Sequence, residues 1–197
     1  MVFPYSKQET REVAMLKPQD TLIALKLWSD AQQDRSPSVR DAAGAIGISA
    51  SEFSKGLARL EAAHLVVNRS GKRFAEKGAL LEWLSYGVRY ALAADQTGYG
   101  RGMATAWNCT LIKSDIVPPT PATVWLVPGG NIEGAGLVPF HQAVPLAASQ
   151  DDLLYLVLAL VDVVRIGKPR ELAIARNLLT DVIRGNYERV PTEHLST

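Results

Sequence analysis

Residues 38–66 read SVRDAAGAIGISASEFSKGLARLEAAHLV, and this stretch decides the fold. Each half opens with a serine that is followed three residues later by an acidic residue, which is the pattern of a helix N-terminus. Such a serine accepts a hydrogen bond from a backbone N–H of the first turn. The pattern therefore predicts two short helices, over 38–46 and 49–63, separated by a Gly-Ile-Ser break at 47–49.

The second predicted helix has a single apolar stripe, because Phe53, Leu57 and Leu60 recur at helical spacing. If that stripe faces the core, the outward face carries small, polar or cationic side chains, at Ala50, Ser51, Ser54, Lys55, Ala58 and Arg59. A helix that reads a DNA major groove, ~12 Å wide, needs an outward face of this kind. Glycine at 47 permits the backbone bend that sets the two helices at a steep angle.

The flanking sequence predicts further regular structure. Residues 18–33 read as a helix with a wide apolar face that opens with proline, and residues 80–94 read as an amphipathic helix. Apolar residues at 65–67 and 73–74 enclose a polar segment with glycine, which predicts a hairpin.

Residues 42–66 resemble the winged helix-turn-helix of MarR-type bacterial transcription regulators. The family's motifs are matched here by Ile46-Gly47-Ile48-Ser49, Ser54-Lys55, Arg59-Leu60-Glu61 and Phe74-Ala75-Glu76-Lys77-Gly78. The resemblance covers roughly residues 18–90. His64 stands where the family has glycine, at a helix end that often needs a left-handed backbone.

The resemblance implies a sequence-specific regulator, most simply a repressor, that binds double-stranded DNA with a recognition helix at about 49–63. Its implied DNA contacts lie on the first helix, the recognition helix and the wing, at Ser38, Arg40, Ser49, Ser51, Ser54, Lys55, Arg59, Arg69, Lys72 and Arg73. A two-fold operator requires a homodimer with recognition helices ~34–36 Å apart. The alternative is a protein-interaction module, such as an antitoxin or an accessory subunit of a defence or mobile-element operon.

Charge is distributed unevenly along the chain. The 197 residues have a net charge of +1, but residues 36–78 hold seven basic and four acidic side chains, a net +3. Hydrophobic residues make up 47% and charged residues 21%, which excludes a disordered tail or a collagen. The single cysteine excludes an intramolecular disulfide, and with no visible export signal or bilayer-length apolar run we expect a cytoplasmic protein without membrane contact.

The chain is expected to be mainly α with a small β component (α+β). It divides into an N-terminal arm (1–17), a winged helix-turn-helix domain (18–78), a connecting helix (79–94), a C-terminal dimerisation or regulatory domain (95–184) and a flexible tail (185–197). The C-terminal domain is predicted to hold helices at 151–165 and 168–184, after a Gly/Pro-rich short sheet or irregular insert at 95–139 with one strand at 123–127.

The first C-terminal helix is apolar on nearly every side. It is therefore either the central helix of its domain or, on its surplus face, part of a dimer seam. Asp162 in this helix needs a partner, because an isolated buried carboxylate is costly, and the candidates are Arg165 and Arg170. The helix at 80–94 could join the same seam.

The sequence offers little for catalysis, so we expect no enzyme, no cofactor and no metal. His64, His141 and His194 stand apart from one another and from Cys109, without metal-ligand spacing. The glycine-rich segment 97–102 is a flexible loop or a phosphate cradle with Arg101. Aromatic residues line an effector pocket or belong to the core, at Trp83, Tyr86, Tyr90, Trp107 and Trp125. Nothing in the sequence identifies an effector.

Overall fold

The structure is a computed structural model that describes residues 15–112, 114 and 116–187. Helices and two small sheets give a mixed α+β architecture, as the sequence predicts. Most of the predicted arm (1–17) and most of the predicted tail (185–197) lie outside the described residues. In the described part of the chain, every helix is too short or too polar to cross a membrane.

The N-terminal elements lie where the sequence places them, to within one or two residues. They are α1 (Pro18–Gln32), α2 (Val39–Ala45), α3 (Ala50–Ala62) and the antiparallel hairpin strands β1 (Val66–Arg69) and β2 (Lys72–Ala75). The two predicted N-caps are confirmed, because Ser38 Oγ accepts from the backbone N–H of Asp41, and Ser49 Oγ from that of Glu52, at 3.2 Å each. His64 has φ 59°, the left-handed conformation expected at the end of α3.

The connecting helix differs from its prediction. It begins at Lys77, three residues before the predicted start, because Glu76 caps it by accepting from the backbone N–H of Ala79 at 2.6 Å. It runs as α4 (Lys77–Glu82), a π-helical turn (Trp83–Gly87) and α5 (Val88–Ala91).

The Gly/Pro-rich insert folds into a closed three-stranded sheet. Its strands are β3 (Gln96–Ala104), β4 (Ala122–Leu126) and β5 (Ile132–Leu137), and a short 3-10 turn (Ala106–Asn108) follows β3. β3 pairs antiparallel with both other strands, which pair parallel with each other. The strand predicted at 123–127 is confirmed as β4, and of the two alternatives the short sheet is the correct one, but β3 and β5 were not predicted. The glycine-rich segment 97–102 is part of β3, neither a flexible loop nor a phosphate cradle.

Glycine makes this closure possible, because the three backbones approach too closely for side chains. A Cβ at Gly102 would overlap the carbonyl oxygen of Trp125, whereas a Cβ at Gly98 in the same strand would meet nothing within 4 Å. We therefore expect Gly102→Ala to lower the free energy of unfolding by about 1–3 kcal/mol. Gly98→Ala is the matched control and should change it by less than about 0.5 kcal/mol. Urea denaturation measures both, and equal effects would contradict the close packing.

The C-terminal helices are α6 (Val144–Ser149), α7 (Asp152–Ile166) and α8 (Pro169–Arg184). Every residue of α7 from 156 to 165 is buried within a single chain, so α7 is a central helix and the alternative of a dimer seam on α7 is wrong. Its Asp162 pairs with Arg165 at 2.6 Å, which confirms one of the two predicted partners.

One hydrophobic core joins the N-terminal and C-terminal elements. The buried residues of α1 and α3 belong to the same cluster as those of α7 and α8. Trp28 of α1 is 1% exposed, and its Nε1 donates to the carbonyl oxygen of Ile183 in α8 at 3.2 Å. The helix α1, on which α3 packs, is thus itself packed directly on the C-terminal half.

Candidate nucleic-acid interface

The outward face of α3 is the centre of the candidate interface. Phe53, Leu57 and Leu60 are at most 2% exposed and hold α3 against the core, which confirms the predicted stripe. The opposite side of α3 is exposed and carries short side chains and one cation, at Ala50, Ser51, Ser54, Lys55 and Ala58. Short side chains let another surface approach the helix backbone closely.

The turn between α2 and α3 is fixed by backbone geometry and by α6. Gly47 has φ +64°, and a Cβ at this position would lie 2.7 Å from Cδ2 of Leu146 in α6. Next to it, Ile46 is fully buried, and the backbone N–H of Ile48 donates to the carbonyl oxygen of Ala43 at 3.0 Å. The angle between α2 and α3 is therefore supported by the C-terminal half of the chain.

Nine of the ten predicted contact residues are exposed on α2, α3 and the hairpin, or at the caps of the two helices. They are Ser38, Arg40, Ser49, Ser51, Ser54, Lys55, Arg69, Lys72 and Arg73. The structure thus brings the predicted residues to the surface of three consecutive elements. What they bind stays a prediction.

Arg59 is the exception, and its prediction as an outward residue is wrong. Its side chain is 10% exposed and forms a bidentate ion pair with Asp20 of α1, with Nε–Oδ2 at 2.7 Å and Nη2–Oδ1 at 2.6 Å. The Asp20 hydrogen bond raises the pKa of Arg59 against the effect of burial. Arg59 therefore ties α3 to α1.

The feature of the sequence that could have indicated the ion pair between Arg59 and Asp20 is Gly56, one helical turn before Arg59. Gly56 is buried, and a Cβ there would lie 2.9 Å from Oδ1 of Asp20, so α1 and α3 cross closely at this point. Arg59 follows on the same edge of the apolar stripe. A buried glycine next to a stripe indicates a close crossing, and a long side chain beside it can reach an acid on the other helix.

Exposed acids neutralise two of the remaining cations. Lys55 pairs with Glu52 at 3.2 Å, and Arg73 pairs with Glu61 at 2.6 Å. Hydrogen bonds from Gln19 and then Lys55 lower the pKa of Glu52. Exposed pairs of this kind contribute about 0–1 kcal/mol, so an anionic partner can displace them at little cost.

Three cations of the interface have no such partner among the described residues. Arg40, Arg69 and Lys72 make no hydrogen bond or ion pair through their side chains within this part of the chain. They lie at the start of α2 and on either side of the hairpin tip. Together with Lys55 and Arg73, and against Asp41, Glu52 and Glu61, they give this surface a net charge of +2.

The five aromatic residues considered as an effector pocket do not line either of the two cavities described for this chain. Trp107 and Trp125 are buried in the core, and the indole N–H of Trp83 donates to Thr21 at 3.0 Å. Tyr86 and Tyr90 are 59% and 83% exposed.

Cys109 is part of the core. It is 1% exposed, and burial raises the pKa of its thiol to about 11. The reactive thiolate form is therefore rare at neutral pH. This environment is that of a packed core residue and does not suit a redox sensor.

Among the described residues, no group of three His, Cys, Asp or Glu side chains could hold a metal ion. His194 lies outside the described residues. Comparison with protein-family models, with curated proteins and with solved structures finds no match to this chain.

Proposed function

We propose that the protein is a sequence-specific double-stranded DNA-binding regulator of transcription, a homodimeric repressor that inserts α3 into the major groove. The observation that carries the proposal is the order of α2, a glycine turn, α3 and a β-hairpin, with nine exposed polar or cationic side chains on these elements. A winged helix-turn-helix has this order, with α3 as its recognition helix and the hairpin as its wing.

Each element of the surface suits a different part of a duplex. Ser38 and Arg40 at the start of α2 are placed for phosphate, and Arg69 and Lys72 on the wing for phosphate or the minor groove. Because the side chain of Arg59 is buried in its ion pair with Asp20, no arginine lies on the outer face of α3. Base reading therefore depends on Lys55, on the serine hydroxyls of α3 and on the shape of the DNA.

The proposed homodimer needs an interface other than α7, whose sides are covered within one chain. Two recognition helices on one face of a duplex must lie ~34–36 Å apart. Light scattering should give twice the chain mass at micromolar concentration, and footprinting upstream of the protein's own gene should show two half-sites. A monomer mass at every concentration would contradict the dimer.

Removing the unpaired and weakly paired cations tests DNA binding. The triple variant Lys55→Ala/Arg69→Ala/Lys72→Ala should bind the DNA duplex identified by footprinting at least about tenfold more weakly than the wild-type protein does. Its plot of log K against log salt should be shallower by about 0.9 for each lost phosphate contact. Gel shift at several salt concentrations measures both quantities.

The control for this variant removes three exposed cations from other surfaces, in Arg101→Ala/Arg170→Ala/Arg184→Ala. It has the same net charge as the test variant, and it should keep wild-type affinity to within about twofold. If both triple variants lose affinity equally, the effect is one of net charge and the proposed surface is wrong.

A protein-interaction module is the second candidate, and one observation favours it. A cavity of about 420 Å³ lies between α1, α2, α3 and the wing, and two partly exposed apolar residues, Val39 (39%) and Phe74 (38%), are among the residues that line it. An apolar side chain of a partner could anchor there. Binding to such a partner should barely respond to salt, whereas DNA binding should weaken steeply.

A further inference from the structure

A second cavity lies between the N-terminal helices and the C-terminal helices. It has a volume of about 550 Å³ and is bordered by α1, the turn at 35–37, α2, α6 and α7. This volume is within the ~300–1,000 Å³ of typical small-molecule sites. We refer to it as the interhelix cavity. One wall is apolar and includes Pro37 and Ala45, which keep accessible surface, and the fully buried Ile46, Ala147 and Leu154.

The other wall is charged and includes Asp30, one of whose carboxylate oxygens is unsatisfied. The side chain of Asp30 is 5% exposed, and its Oδ1 accepts from Nζ of Lys26 at 2.6 Å and from Nε of Arg35 at 2.8 Å. Its Oδ2 is buried and has no hydrogen-bond partner among the described residues. Buried acceptors without a partner are rare and costly, so this oxygen has capacity for a donor from a ligand.

The neighbouring carboxylate has no such spare capacity. Asp151 accepts from the backbone N–H of Leu154 at 3.0 Å and from Ser29 Oγ at 2.9 Å, and it also accepts from Arg35. Burial opposes ionisation, but these hydrogen bonds outweigh it and lower the pKa of Asp151. Asp151 is therefore an anion whose hydrogen bonds are satisfied within the chain. Asp30 is the carboxylate that can still accept a hydrogen bond from a ligand.

The charges on this wall favour a cation. The cavity is bordered by the carboxylates of Asp30, Asp41 and Asp151 and by the cations of Lys26 and Arg35, a net charge of −1. The acid in excess is Asp41, which is exposed. Because part of the lining is apolar, the cation that fits is organic.

We propose that the interhelix cavity binds a small organic monocation, a primary amine carried on a compact apolar group. The ammonium donates to Oδ2 of Asp30, and the apolar group packs on Pro37 and Ala45. This arrangement supplies the missing donor, neutralises the surplus charge and covers the apolar wall at the same time.

The position of the cavity gives the ligand a route to regulation. It touches α2 on one side and α6 and α7 on the other, so an occupant contacts both halves of the chain. An effect on DNA affinity rests on the proposed function, because it requires that α2 and α3 bind DNA. Binding of the amine does not depend on that function.

The test titrates the full-length chain with three primary amines: phenethylamine, cyclohexylmethylamine and isoamylamine. Calorimetry and NMR chemical shifts should detect saturable binding of at least one of them, with shifts at Ile46 and Ala147. The neutral analogue 2-phenylethanol and the anion phenylacetate should bind at least about tenfold more weakly than phenethylamine, because the hydroxyl of the alcohol is an uncharged donor and the anion has no donor and is repelled by Asp30.

Three variants locate the binding. Asp30→Asn should weaken the amine by at least about tenfold, whereas Asp181→Asn, an exposed acid on α8, should leave it unchanged. Circular dichroism checks folding. If Asp30→Asn does not fold, Ala45→Leu blocks the apolar side of the cavity without removing a charge and should also abolish binding. The proposal is overturned if no amine binds, if the anion binds as well as the amine, or if neither cavity variant changes the affinity.

A gel shift with the amine separates this proposal from the proposed function. If the amine binds and wild-type protein fails to bind DNA, the regulator is wrong and the amine site stands. If the protein binds DNA but binds no amine, the amine site is wrong and the proposed regulator stands.

Discussion

Replacing Arg165 with alanine is expected to lower the free energy of unfolding by about 3–5 kcal/mol, because it leaves a buried carboxylate without its cation. Asp162 is fully buried, and Arg165 Nη1 lies 2.6 Å from its Oδ1. Thr105 and Trp125 each donate to the other carboxylate oxygen at 2.7 Å. Both of these donors remain in the variant, but the compensating charge is lost.

Arg165 also satisfies backbone carbonyls where three segments meet. Its guanidinium donates to Leu92 at 2.8 Å and to Ala93 at 2.9 Å, and to Val138 at 3.2 Å. These acceptors lie after α5 and after β5, so one side chain joins α7 to the connecting helix and to the closed sheet. The carbonyl of the buried Leu92 adds to the cost of truncation, since it would lose its donor.

The pH dependence distinguishes this mechanism from a simple loss of packing. Burial raises the pKa of Asp162, and Arg165 opposes that effect. Without Arg165 the folded variant should keep this carboxyl protonated, while the unfolded chain releases the proton above its ordinary pKa. The unfolded state then binds fewer protons than the folded state, so the variant should become less stable as pH rises from 5 to 8.

Urea denaturation at several pH values measures this prediction. Arg170→Ala is the control, because Arg170 is the other partner that the sequence allows and it is exposed. It should change the free energy of unfolding by less than about 0.5 kcal/mol. A loss below about 1 kcal/mol for Arg165→Ala, or the same loss at every pH, would contradict the role assigned to Arg165.

The elements that could be predicted from the sequence are those specified by neighbouring residues. Caps and helical periodicity place α2 and α3 to within a residue or two, and the pairing of Asp162 with Arg165 spans one helical turn. The closed sheet could not be predicted in this way. Its glycines have no side chains and so interrupt the apolar-polar alternation by which a strand is predicted. They are explained only by contacts with distant backbone, such as Gly102 against Trp125.

At the candidate interface, too, the predictions that depend on neighbouring residues are correct, and the one that depends on a distant contact is wrong. The outward face of α3 follows from its stripe, and nine of the ten predicted residues are exposed. The prediction for Arg59 is wrong because its ion-pair partner, Asp20, lies 39 residues earlier, on α1. Local periodicity places Arg59 at the edge of the stripe, and only the crossing of two helices decides whether it faces solvent or the core.

Arg59→Ala is therefore expected to destabilise the fold and to leave the DNA affinity of the folded protein unchanged. Asp20 is fully buried and would lose both of its side-chain ion-pair contacts, which should cost about 3–5 kcal/mol. One of its oxygens would still accept from the backbone N–H of Lys17 at 2.8 Å. Urea denaturation gives the cost, and gel shift at low temperature, where the variant is folded, gives the affinity.

The double variant Asp20→Asn/Arg59→Met separates the cost of an unpaired charge from the value of the pair. It leaves no buried ion and keeps an oxygen for Lys17, so it should recover most of the lost stability, since apolar replacements of buried pairs are often neutral. If Arg59 instead rotates outward to bind DNA, the result is the opposite. Arg59→Ala would then stay within about 1 kcal/mol of wild type in stability and lose tenfold or more in affinity, as expected for a lost bidentate contact to guanine.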